Sequence, residues 1–132
     1  MEVEVLGAER LPGGPSPAEI RALCAEVGAH LGASAGHVAV EFVDAARIAA
    51  LNDRYRGKTG PTDVLSFPID GASPAAIGAA HELGDIVICP EHTADVTEAV
   101  IHGMLHLLGM DHEVDHGEML ETQRQLLARA RP

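Results

Sequence analysis

The chain is poor in aromatic residues, in cysteine and in positive charge, and each shortage narrows what it can be. Phe, Tyr and Trp supply only 2% of the residues, so the core has to be built from Ala, Val, Leu and Ile. Cys24 and Cys89 are the only cysteines; two thiols set no disulfide framework and match no CxxC metal motif. They read as small buried hydrophobes in a reducing compartment. No apolar run reaches membrane-spanning length, and no basic N-terminal stretch leads into an apolar one. A cytoplasmic location with no membrane partner is therefore expected. Nine basic residues against 20 acidic ones give a formal net charge of −11. That balance argues against broad, non-specific nucleic-acid binding, because a phosphate-binding surface carries a basic excess. The positive charge that is present is concentrated, with Arg54, Arg56 and Lys58 inside five positions.

At 132 residues the chain reads as one domain spanning 1–132, large enough for a core and too small for two. Glu2 to Leu6 alternates charged and apolar residues as a half-buried strand does. Beyond the break at Pro12 to Pro15, Ser16, Pro17 and Glu19 make a capping-box pattern ahead of Ile20, Leu23, Cys24, Val27 and Leu31 at helical spacing. His37 to Val43 alternates as a second strand, and Asp44 is placed to cap a helix from Ala45 to about Arg54. Tyr55 to Asp63, with Gly57, Gly60 and Pro61, reads as a loop. Val64 to Ile69 predicts a short edge or terminating strand with Pro68 near its end, and Gly71 to Ala80 a loop of small residues. Leu83 to Cys89 reads as a strand buried on both faces, Pro90 as the opening of the next helix, and Gly117 to Ala130 as the last helix. The order β-α-β-α-β-β-α-α implies an α+β fold, a mixed four-stranded sheet packed with helices, with a metal site at the end of a helix.

That site is the stretch HGMLHLLGMDH. His102 and His106 are four apart, which on a helix stacks both imidazoles on one face. Gly109 follows where a helix needing a left-handed residue would end, so the chain can turn and bring in His112. Three neutral imidazoles and one open position describe a catalytic zinc site better than a structural one, which closes all four positions with protein groups. His30, His81, His92 and His116 lie outside this spacing and read as surface residues. Asp85 stands out on an apolar strand. It either accepts the second ring N–H of a ligand histidine, orienting it, or faces water.

The His102-x3-His106-x5-His112 pattern has the spacing of the metzincin peptidases, but Gly103 stands where their general-base glutamate belongs. A metzincin-like hydrolase of peptides is thus one rival reading, weakened by that glycine.

Three blocks, LNDRYRGKTGPTDVLSFP (Leu51 to Pro68), LGDIVIC (Leu83 to Cys89) and HGMLHLLGMDH, resemble the YbeY family of bacterial metal-dependent endoribonucleases. The resemblance implies one zinc per chain held by His102, His106 and His112, and a catalytic role for Arg56 in RNA cleavage. It also implies single-stranded RNA rather than DNA as substrate, action on the 3′ end of small-subunit rRNA, and a part in ribosome quality control with the small subunit as partner. A non-catalytic ribosome-assembly factor with a structural metal is the other rival reading. The residues allow Arg56 that role, since a planar guanidinium matches a phosphate and can stabilise charge developing on it. Alternatively, the basic run is a solvated loop. Arg54 and Lys58 are candidates for backbone-phosphate contacts, and Ser66 for lining the cleft. One departure from the family pattern is the short connection from Pro90 to Ile101, where relatives carry a longer helical segment.

Overall fold

The computed structural model describes residues 1–70, 78 and 81–131. The small-residue loop expected over Gly71 to Ala80 lies almost wholly outside them.

Four strands alternate with helices in the expected order: β1 (Glu2–Leu6), α1 (Pro17–His30), β2 (His37–Phe42), α2 (Ala45–Arg56), β3 (Val64–Pro68), β4 (Glu82–Ile88), α3 (Val96–Leu107) and α4 (Glu118–Ala130). The sheet order is β1-β2-β4-β3. β1 and β4 both run parallel to β2, and β3 runs antiparallel to β4, which makes the sheet mixed. The fold is α+β.

Local signals account for most helix ends. Ser16 and Glu19 form the capping box that opens α1, with Pro17 in the first turn. Asp44 accepts the Arg47 N–H at 2.8 Å and opens α2. Two boundaries differ from the sequence reading by more than one residue. Helix α2 continues through Tyr55 to Arg56 and stops because Gly57 adopts φ 65°, a left-handed conformation that costs glycine little. Pro90 opens only a 3-10 turn, Pro90–His92, and α3 starts at Val96 behind the cap Asp95.

The two faces of the sheet are covered unequally. On one, Val38, Val40, Phe42, Leu83, Ile86 and Ile88 pack against α1, α3 and α4 in the larger core. On the other, α2 covers part of the surface through Ile48 and Leu51 on Leu65, Val87 and Cys89. Ile101, Met104 and Leu105 of α3 are fully buried. This seals all of α3 except one stripe and fixes the helix directly on β4. At its N-terminus, Arg131 from the end of α4 donates to both Asp95 carboxylate oxygens at 2.5 and 2.6 Å.

Candidate metal centre and cleft

The sequence of α3 leaves a single polar stripe. Ala99, Val100, Ile101, Gly103, Met104, Leu105 and Leu107 are buried, while Glu98, His102 and His106, four residues apart, keep access to solvent. Beyond Leu107 the chain closes on itself: Gly109 at φ 97° donates to the His106 carbonyl at 3.0 Å, and Met110 to the Leu105 carbonyl at 2.9 Å. That turn returns His112 to the two helical imidazoles. One ring nitrogen from each of the three lies within 4.8 Å of the others, and the ring centroids are 4.7 to 5.3 Å apart.

Hydrogen bonds fix the protonation of two rings. His106 Nδ1 is 3.0 Å from the Met110 carbonyl, and His102 Nδ1 is 2.7 Å from Gln123 Oε1. The Met110 carbonyl and Gln123 Oε1 are both acceptor atoms, so in this arrangement each Nδ1 carries the proton and each Nε2 can offer its lone pair to a cation. Burial, with the charge of His102 next in size, holds the His106 pKa below the usual imidazole value. The neutral form is the one that ligates a metal. The three histidines can hold a metal ion.

Two open cavities of about 450 and 440 Å³ meet at this cluster and share Arg56, Val64, His102, His112 and Glu113. Lys58, Asn52, Glu98 and Gln123 line the first; Ser66, Pro68, His106 and Met110 line the second. Arg56 enters because it ends α2. The turn beyond it is held by buried Asn52, whose Nδ2 donates to the Gly60 carbonyl at 2.9 Å and whose own carbonyl accepts from Lys58 at 3.3 Å. Ser66 donates from Oγ to the Gly103 carbonyl at 3.4 Å, linking β3 to α3.

Two sequence readings need correction. Arg54 lines neither cavity; its guanidinium carbon sits 5.3 Å from the centroid of the Tyr55 ring, which itself stands edge-on to Phe67. On a helix, two residues of separation turn a side chain by about 200°, so Arg54 and Arg56 cannot share a wall. Asp85 does not orient a ligand histidine. Its neighbour Ile86 points into the core against α3, so Asp85 points to the opposite face, exposed, beside Phe67 and Arg47. The acceptor for His102 is Gln123, on the inner side of α4, a residue the sequence did not single out. A polar residue on an otherwise apolar stripe was the available signal, and the same holds for Asn52 beside Leu51.

Gly103 has a steric reason. A Cβ there would lie 2.6 Å from Ile86 Cγ2, so no side chain fits between α3 and β4. The position of the peptidase glutamate is closed by packing.

A mixed sheet with three imidazoles along one helix and its turn, open to a polar cleft, defines the class: an α+β protein with a three-histidine site able to hold a metal ion. Residues 18–131 match the family model described as Endoribonuclease YbeY, and the chain belongs to the YbeY family. It is 42% identical over 108 residues to the Endoribonuclease YbeY of Thermobifida fusca strain YX, covering 69% of this chain and 70% of that one. To the protein of the same name from Alteromonas mediterranea it is 37% identical over 124 residues, covering 83% and 74%. A Thermotoga maritima protein of known solution structure superposes with a TM-score of 0.58 at 26% identity, covering 97% of this chain and 88% of that one.

Proposed function

We propose that this chain is a zinc-dependent endoribonuclease that cuts single-stranded RNA, with residues 1–132 acting as one domain. In this reading it matures the 3′ end of small-subunit rRNA and serves ribosome quality control in the cytoplasm, with the small ribosomal subunit as partner. The observation that carries the proposal is the meeting of Arg56 with the three histidines: one guanidinium lines both cavities that flank the cluster. The family name shared with the relatives supports ribonuclease chemistry.

His102, His106 and His112 would hold the zinc, since three imidazole nitrogens suit that borderline-soft cation and leave one position open. When bound, it supplies Lewis acidity to an oxygen of the reacting phosphodiester or its nucleophile. Arg56 pairs with the scissile phosphate through its planar fork and holds the charge that grows on the non-bridging oxygens. Lys58 contacts a neighbouring phosphate from the first cavity, and Ser66 lines the second. Among the described residues only Arg56 and Lys58 bring permanent positive charge to the cavity walls, against Asp63, Asp95, Glu98, Asp111 and Glu113. The grip on RNA is therefore local. Peptide hydrolysis is disfavoured, because packing at Gly103 excludes the general base that chemistry uses.

The test is cleavage of end-labelled single-stranded RNA by zinc-loaded protein, with Arg56→Ala assayed beside it. The wild type should cut, and the variant, with zinc still bound, should be slower by about 10²–10³-fold, the usual cost of losing one transition-state donor. Equal cutting by both removes Arg56 from the reaction. Failure of both with stoichiometric zinc would favour a non-catalytic assembly factor.

A further inference from the structure

Helix α4 contributes no candidate ligand, yet it reaches the metal centre at one point. Gln123 extends from its inner side, half-buried, and places Oε1 2.7 Å from His102 Nδ1. A carbonyl oxygen cannot donate, so the contact exists only when the imidazole carries its proton on Nδ1. That tautomer leaves the Nε2 lone pair free for a cation shared with His106 and His112. The neighbouring imidazole is set in the same way by its own turn, through the Met110 carbonyl. For His102, however, the acceptor comes from 21 residues further along the chain and depends on α4 being docked.

We infer that Gln123 is a positioning residue that sets the tautomer and ring orientation of His102, making metal affinity depend on the docking of α4. The inference rests on the metal reading of the three histidines, and it concerns the ligand-free protein as much as the loaded one. Buried Met119 and Leu126 on the same helix anchor α4 in the core, which holds the Gln123 amide at a fixed distance from the ring. Partners of this kind are worth about 10–100-fold in metal affinity.

Two measurements on the full chain test it. The first is the tautomer of His102 in metal-free protein, read from long-range proton–nitrogen correlations in wild type, Gln123→Met and Gln123→Glu. Methionine keeps the length and apolar packing but accepts weakly; glutamate keeps the acceptor. Wild type and Gln123→Glu should show the Nδ1–H form, and Gln123→Met a mixture. A single Nδ1–H form in Gln123→Met overturns the inference without reference to any metal. The second is zinc affinity by competition with a chromogenic chelator, with His106→Ala as control. Gln123→Met should bind about 10–100-fold more weakly than wild type, and Gln123→Glu as tightly or more tightly. Equal affinity of Gln123→Met and wild type, both well above His106→Ala, overturns the role of Gln123 and leaves the metal reading intact. Wild-type binding no tighter than His106→Ala overturns both.

Discussion

Replacing Gly103 by alanine sets two effects of similar size against each other, and the structure decides which wins. Glycine inside a helix costs about 1 kcal/mol relative to alanine, so on an open helix face Gly103→Ala would stabilise. Here the added Cβ would lie 2.6 Å from Ile86 Cγ2 and 3.0 and 3.1 Å from Cγ1 and Cδ1. Ile86 is fully buried on a central strand and has nowhere to retreat. Overpacking of a core by one methyl typically costs about 1–3 kcal/mol, so a net loss of about 1 kcal/mol is expected. With an unfolding entropy of about 0.28 kcal/mol/K for a chain of this length, Tm should fall by about 3–4 °C. The assay is calorimetry of metal-free protein in two backgrounds. In wild type the substitution should lower Tm. In Ile86→Ala, which removes all three opposing atoms, it should be neutral or stabilising, a coupling of about 1 kcal/mol or more. A Tm at or above wild type in the first background, or the same change in both, would refute the close-packing argument.

Two further outcomes follow from the same geometry. Asn52→Ala removes the side-chain hydrogen bond to the Gly60 carbonyl and should cost about 1–2 kcal/mol in chemical denaturation. Because the freed turn carries the Lys58 wall of the cleft, weakened RNA binding should accompany that loss, measured by fluorescence anisotropy, while zinc affinity stays near wild type. For pH, burial and neighbouring positive charge hold the pKa of folded His106 below its ordinary value. Between that lowered value and about 6.5 the unfolded chain binds a proton that the folded chain does not. Stability of the metal-free protein should therefore be flat above about pH 6.5 from this group and fall as pH drops below it. Repeating the denaturation series in His106→Gln should flatten that decline; an unchanged slope would show that His106 is not its source.

The sequence by itself determined the features whose cause is local. Helical spacing stacks His102 over His106, and Gly109 supplies the left-handed exit that returns His112, so the three-histidine cluster able to hold a metal ion was legible from eleven residues. The alternation of strands and helices likewise led to the α+β class and the mixed sheet, and the capping residues Ser16 and Asp44 to two helix starts. What only the tertiary structure decided depends on contacts between distant segments or on the phase of a repeat. Two extra residues of α2 separate Arg56 in the cleft from Arg54 outside it, a difference of helical phase that a loop reading could not contain. Which face of β4 receives Asp85 depends on docking of α3 against Ile86, not on Asp85 itself. The acceptor for His102 had to be found across the packing of α4, where Gln123 is one polar atom in an apolar stripe and acquires meaning only at 2.7 Å from the ring. Histidine spacing within one turn is written by the backbone's own period; the groups that hydrogen-bond those histidines and wall the cleft are brought there by the sum of weak, non-directional core contacts, which no short stretch of sequence encodes.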